Sequence, residues 1–273
     1  LQYIMIYDCF TFRDEFDMLE IRLRILDKVV DKFVICEADR TFTNQPKPFN
    51  FQEHQDRFKQ WEDKIIYLPV ELDDDGLDFS IKDTKYNPYS AAWMLEGQQR
   101  SGLILGLSEA KEGDVIMLGD VDEIPHPESV QHYINPTTCV NDFFYYYVNN
   151  KSMGPQDAQW LGTCFVPFNR LNEFPHFEKM RGSRERFTLI KSGWHLSYMG
   201  GKEMIQNKIK TISHTEYNNE NYYNDKHIDE CLLNGKDVFK RDTMNFKLIN
   251  PTEYYPDYII DIFKGYPGFI YET

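Results

Sequence analysis

The chain has 273 residues, 41% of them hydrophobic and 15% aromatic. That is enough to bury the core of one large α/β domain or two smaller ones, and it excludes disorder as the main state. Its 44 acidic and 30 basic residues leave a formal charge of −14, which excludes general binding to nucleic acid or anionic lipid and means that an anionic ligand needs a metal ion or a few placed lysines and arginines.

In chain order, Tyr3 to Cys9 reads as a buried first strand. Thr11-Phe12-Arg13-Asp14 resembles a capping box opening a helix that repeats Phe16, Leu19, Leu23 and Leu26 at helical spacing. Lys32 to Ala38 is a second strand. Asn50, with Glu53 three residues on, caps a helical element carrying Phe51, Phe58 and Trp61, and Lys64 to Val70 is a third strand. Leu72 to Pro88 is acidic and aperiodic, a long loop. Ser90 starts a helix running to about Lys111. Its Gly97, Gly102 and Gly106 each cost about 1 kcal/mol relative to alanine, a loss that makes sense where a helix packs close on a sheet. Asp114 to Leu118 is the fourth strand. This alternation predicts a mostly parallel sheet covered on both faces.

Beyond residue 125 the pattern loosens. Phe143 to Val148 and Thr163 to Phe168 read as strands, and Asn221 to Leu233 as a helix stopped by Gly235. No repeat or linker divides the chain, so one continuous α/β domain is expected, with halves 1–125 and 126–273. No apolar run approaches the roughly 18 residues of a membrane span, and Leu1 to Tyr7 lacks the basic start of a signal peptide. The five cysteines (Cys9, Cys36, Cys139, Cys164, Cys231) form no C-x-x-C pair. Reduced thiols in a cytoplasmic protein of bacterial or viral origin are therefore the expectation.

The sharpest chemical signal is the apolar strand that runs through Gly119 into Asp120-Val121-Asp122-Glu123-Ile124-Pro125. In an extended chain, residues i and i+2 share a face, so Asp120 and Asp122 are expected to converge while Val121 packs inward. Two carboxylates at a strand's carboxyl end suit a divalent cation and, through it, a diphosphate. An acidic turn capping the next helix is the plainer alternative. A second constellation is Ser192-Gly193-Trp194-His195-Leu196-Ser197, in which the tryptophan is placed to fix the histidine ring. A lone histidine is more often a core residue. Lys208, Lys210, Ser213, His214 and Glu216 form a basic-polar stretch, either a solvated helix face or a phosphate cradle.

Several of these stretches together resemble glycosyltransferase family 17. They are Tyr7-Asp8-Cys9-Phe10 through Asp14-Glu15-Phe16-Asp17-Met18-Leu19-Glu20-Ile21-Arg22-Leu23; Phe33 to Ala38 with Arg40 to Thr43 and Lys47-Pro48; Gly119 to Pro125; and Gly193-Trp194-His195. The resemblance implies a GT-A type fold: a Rossmann-like, mostly parallel sheet flanked by helices, with an elaborated mixed C-terminal half. It implies inverting transfer from a UDP-sugar, N-acetylglucosamine first and a pentose such as xylose as the alternative, to an oligosaccharide or glycoprotein glycan, with Mn²⁺ or Mg²⁺. It places Asp120 at ribose and metal, Asp122 as the main metal ligand, and His195 as a later ligand to metal or diphosphate. Phe10, Glu37, Asp39, Arg40 and Arg100 then fall on the nucleotide side, with Lys208 and His214 toward the phosphates.

Such a transfer needs a base for the acceptor hydroxyl. Asp157, in the loop between Lys151 and Trp160, is the candidate, with Glu123, Glu178 and Asp225 as rivals, and Trp160, Tyr147 and Trp194 offer rings to stack on sugars. Three other functions compete. A nucleotidyltransferase needs a glycine-rich loop, and Tyr7 to Arg13 holds no glycine. A glycoside hydrolase needs two carboxylates and no nucleotide, and a non-catalytic carbohydrate-binding protein would keep the fold without turnover.

Overall fold

A computed structural model describes residues 3–154, 160–174 and 176–272. The first half is built as the alternation predicts: β1 (Ile6–Phe12), α1 (Phe16–Leu26), β2 (Lys32–Ala38), α2 (Asn50–Glu53), β3 (Ile65–Val70), α3 (Ala91–Gly102) and β4 (Val115–Asp120). β1 lies between β2 and β4, β3 lies outside β2, and all three pairings are parallel. β1 alternates between two cores. Phe10 and Phe12 pack with Leu19, Leu23 and Leu26 of α1, while Tyr7 and Cys9 face Leu103 and Leu107.

Three local expectations need correction. The capping box at Thr11 does not form: Thr11 and Phe12 finish β1, and Glu15 accepts from the backbone N–H groups of Arg13 and Asp14. Asn50 is not the cap of α2 either, because the Asn50 and Phe51 N–H groups donate to the buried Glu37 carboxylate at 2.7 and 2.9 Å. The helix from Ser90 is α-helical only to Gly102 and tightens to 3₁₀ over Leu103–Leu107. The close packing inferred from its glycines is real at Gly106, where a Cβ would stand 2.4 Å from Val34 Cγ1.

The second half extends the same sheet with mixed pairings. It comprises β5 (Glu123–Ile124), β6 (Thr137–Tyr145), β7 (Asn150–Ser152), β8 (Trp160–Pro167), α4 (Phe177–Gly182), β9 (Thr188–Ser197), α5 (Gly201–Thr211), α6 (Glu220–Tyr223), α7 (Asp225–Asn234), β10 (Phe246–Leu248) and α8 (Asp257–Lys264). β8 runs antiparallel between β4 and β6, and so joins the halves. β9 pairs in parallel with β6 and antiparallel with β5. The helix expected over 221–233 is broken at Asn224, whose side chain caps α7 through the His227 N–H, and Gly235 ends it at φ +61°. The α/β class holds, with helices flanking one continuous sheet. None of the described helices is long and apolar enough to cross a membrane. All five cysteines are free and buried, and burial pushes the Cys36, Cys139 and Cys164 thiols up to about 12.

Candidate active site

The site begins with a buried ion pair. Asp8 on β1 and Arg22 on α1 are both fully buried and bond bidentately at 2.7 and 2.8 Å. The remaining Arg22 nitrogen donates to the carbonyls of Asp120 and Glu123, at 3.0 and 2.7 Å. Phe10, which the resemblance placed on the nucleotide side, lies instead beneath this guanidinium, 4.7 Å from ring centroid to charge. The loop after β4 is thus held from below by a charge that has nowhere else to go.

Glu123 is held from the other side. Its buried carboxylate accepts from Trp160 Nε1 at 2.7 Å, from the Asp120 N–H at 3.0 Å and from Arg181 on α4 at 2.9 Å to each oxygen. β4 ends at Asp120, so Asp122 sits in a turn and not in the extended strand expected for it. The two aspartates reach the same cavity but hold different partners. Asp120 bonds Arg100 at 3.2 Å and also Arg181. Asp122 bonds Lys208 at 2.8 Å and faces His195 Nε2 at 3.5 Å. Burial works to raise both carboxyls, yet Arg181 and Arg100 at Asp120, and Lys208 and His195 at Asp122, hold them below the usual carboxylate range.

His195 reaches the site through a bulge in β9. Gly193 adopts φ +78°, and a Cβ there would lie 2.3 Å from the Ile124 carbonyl oxygen. The bulge turns Trp194 into the core against His126 and Tyr255, and leaves His195 between Phe143 and Trp160 at 4.8 and 4.3 Å. Among the described residues, His195 Nδ1 is buried with no hydrogen-bond partner.

Asp120, Asp122, Arg100, Arg181, His195 and Lys208 line a cavity of about 440 Å³ at the carboxyl ends of the parallel strands. Its described wall carries eight arginines and lysines against five carboxylates, in a chain whose formal charge is −14. This local reversal of sign is what an anionic ligand requires.

The model of glycosyltransferase family 17 matches residues 2–249. The chain belongs to that family. Its curated relatives include the β-1,4-mannosyl-glycoprotein 4-β-N-acetylglucosaminyltransferases of Homo sapiens and Rattus norvegicus, each 28% identical over 122 residues, and that of Mus musculus at 27%. Each match covers 42% of this chain and 21% of the relative. Among solved structures, UDP-glucose pyrophosphorylase complexed with UDP-glucose overlaps 69% of this chain and 92% of its own, at a TM-score of 0.33 and 9% identity.

Of the residues singled out from the sequence, this family 17 chain brings Arg40, Arg100, Asp120, Asp122, His195, Lys208 and His214 to the cavity wall. Glu37 and Asp39 stay outside it. Glu37 is sealed by Lys47, Tyr67 and the two α2 N–H groups, and Asp39 pairs with Arg40 and accepts from the Leu72 N–H. Trp160 lines the cavity, whereas Trp194 and Tyr147 do not. Among the base candidates, Asp157 lies outside the described residues, Glu123 is buried and saturated, and Asp225 sits on α7 beside Gln206. Glu178 lines the cavity with its side chain 43% exposed.

Arg13, Lys47, Arg181, Arg184 and Arg241 also line the wall, and sequence reasoning gave them no role. Each is an ordinary charge in its local pattern. Arg22 did carry a signal: it lies three residues after Leu19 and four before Leu26, on the buried stripe of an apolar helix.

The divalent ion implied by the resemblance does not fit this donor set. Each carboxylate oxygen of Asp120 already faces an arginine, and those of Asp122 face Lys208 and His195. Among the described residues, no group of three His, Cys, Asp or Glu side chains is placed to hold a metal ion.

Proposed function

We propose that this chain transfers a sugar, with inversion, from a UDP-sugar to a hydroxyl of a glycan acceptor, and that N-acetylglucosamine is the first donor to test. The cationic cavity in an acidic member of family 17 carries the reading. N-acetylglucosamine enters by analogy with the mammalian relatives, which are N-acetylglucosaminyltransferases. The aromatic surfaces of Trp160 and Phe143 beside His195 offer flat apolar faces for a sugar ring. Asp120 and Asp122, held ionised by their cations, are unsuited to serve as the protonated acid of a glycoside hydrolase.

In the transfer, the acceptor oxygen attacks the anomeric carbon opposite the leaving diphosphate. The bond from that carbon to the diphosphate oxygen breaks, and its electron pair stays with the UDP. The acceptor proton passes to a carboxylate, for which Glu178 is the candidate among the described acids, with one oxygen bonded to Arg100.

The test is thermal unfolding with UDP and a panel of UDP-sugars, followed by transfer assays with the preferred donor. A ligand at 100 times its Kd adds about 2.7 kcal/mol, a shift of several degrees in a chain of this size. A uridine-dependent shift that is largest for one sugar supports the reading, and no shift with any uridine nucleotide overturns it. Glu178→Gln is expected to keep UDP affinity while lowering turnover by about 10²–10⁴-fold; full activity would remove it as the base.

A further inference from the structure

The aspartates that the resemblance assigned to a metal ion are already paired with protein cations, and those cations are themselves anchored. Lys208 Nζ lies 2.8 Å from Asp122 and 5.0 Å from the centroid of the Tyr198 ring. Arg181 is locked by two bonds of 2.9 Å to the fully buried Glu123. Arg100 is taken up by Glu96 and Glu178 and reaches Asp120 at 3.2 Å. All three line the cavity. A divalent ion seated on Asp120 and Asp122 would have to displace cations from both residues and then share a wall that already has more positive than negative groups.

We propose that Lys208 and Arg181 meet the charge of the donor's diphosphate, so that this chain binds its nucleotide and releases UDP without a divalent cation. The proposal rests on the UDP-sugar reading. As the anomeric C–O bond breaks, its electron pair moves onto the diphosphate oxygen and the acceptor's proton moves to the base. The charge on the leaving oxygen then falls between two cations already in place. A guanidinium offers a planar fork for phosphate oxygens, and the ammonium supplies a point charge. Fixed charges of this kind stabilise a leaving group without reorganising as the charge develops. Asp120, Asp122 and Glu123 become the anchors that hold the cations in position.

The experiment is calorimetric titration of UDP into the unaltered protein, once in EDTA and once in Mn²⁺, repeated with Lys208→Gln and Lys208→Arg after their melting curves confirm folding. The expected result is a UDP affinity in EDTA within about threefold of that in Mn²⁺. Lys208→Gln should weaken it at least about tenfold in both buffers, the equivalent of about 1.4 kcal/mol, and Lys208→Arg should recover part of the loss. Binding that vanishes in EDTA and returns with Mn²⁺ would overturn the proposal and leave the UDP-sugar reading standing. Lys208→Gln binding as tightly as the unaltered protein would also overturn it. Absence of UDP binding in both buffers would overturn the UDP-sugar reading along with it.

Discussion

Up to Pro125 the chain supplies the cavity with Arg13, Arg40, Lys47 and Arg100, matched by Glu15, Glu96, Asp120 and Asp122; beyond it come Arg181, Arg184, Lys208 and Arg241, matched among the described residues by Glu178 alone. The parallel half is close to neutral at the site. Its cations are largely spent on its own acids: Arg40 on Asp39, Lys47 on Glu37, Arg100 on Glu96. The positive excess arrives with the mixed half, whose Arg181 and Lys208 reach across to the aspartates of the first. A binding charge of this kind exists only when both halves are docked, which ties ligand binding to the integrity of the whole sheet.

The strongest way to break that arrangement is from beneath. Arg22→Ala leaves Asp8 charged, buried and unpaired, and frees the loop from Asp120 to Glu123. A loss of about 3–5 kcal/mol in chemical denaturation is expected. The double change Asp8→Leu with Arg22→Met should recover much of the stability without recovering UDP affinity, because the loop carbonyls still lack their donor. Recovery of both would show that the pair serves folding alone.

A smaller effect separates the scaffold from the site within the first half. Glu37→Gln places an amide where Lys47, Tyr67 and two backbone N–H groups require an acceptor. It should cost about 1–3 kcal/mol in stability and change UDP affinity by less than about threefold. A large loss of affinity in a folded Glu37→Gln protein would return Glu37 to the nucleotide side, where the resemblance had put it.

The smallest effect is a pH dependence across the junction of the halves. Asp122 is held below its ordinary value, so its contribution is complete above the unfolded carboxylate value of about 3.9 and is lost as pH falls through the lower folded value. Burial works to lower the Lys208 ammonium, but Asp122 and Glu15 raise it. Its contribution is complete below the unfolded lysine value of about 10.4 and is lost only as pH rises through the higher folded value. The stability difference between the unaltered protein and Lys208→Gln should therefore stay level from about pH 5 to 9 and shrink below about pH 4. A difference that does not shrink below about pH 4 would mean that the pair does not form.

Local pattern goes far in the first half. Lys32–Ala38 is a strand over the residues expected, and Phe16–Leu26 is the expected helix, because buried parallel strands and amphipathic helices leave strong periodic signatures. Caps were less readable. Asn50 has the residue type and spacing of a cap, yet α2 is capped by Glu37, thirteen residues earlier in the chain. In the second half, α8 was not recognised as an element and α5 was touched only by the helix-face alternative for the stretch from Lys208, though both hold core residues such as Ile205 and Phe263. The Gly193 bulge that swaps the roles of Trp194 and His195 depends on how β9 meets β5 and β6. No short window of sequence shows such a register shift.

By itself the sequence determined the α/β class, the strand that ends in acidic residues, and a set of motifs specific enough to point to glycosyltransferase family 17. Those features are local, set by the order of apolar and polar residues along one element. Tertiary structure decided which charges meet. Arg181 lies 61 residues from Asp120, and Lys208 lies 86 residues from Asp122. Whether a carboxylate faces a metal ion, a lysine or a backbone N–H is a property of the space around it. That space is made by the docking of one half of the sheet against the other.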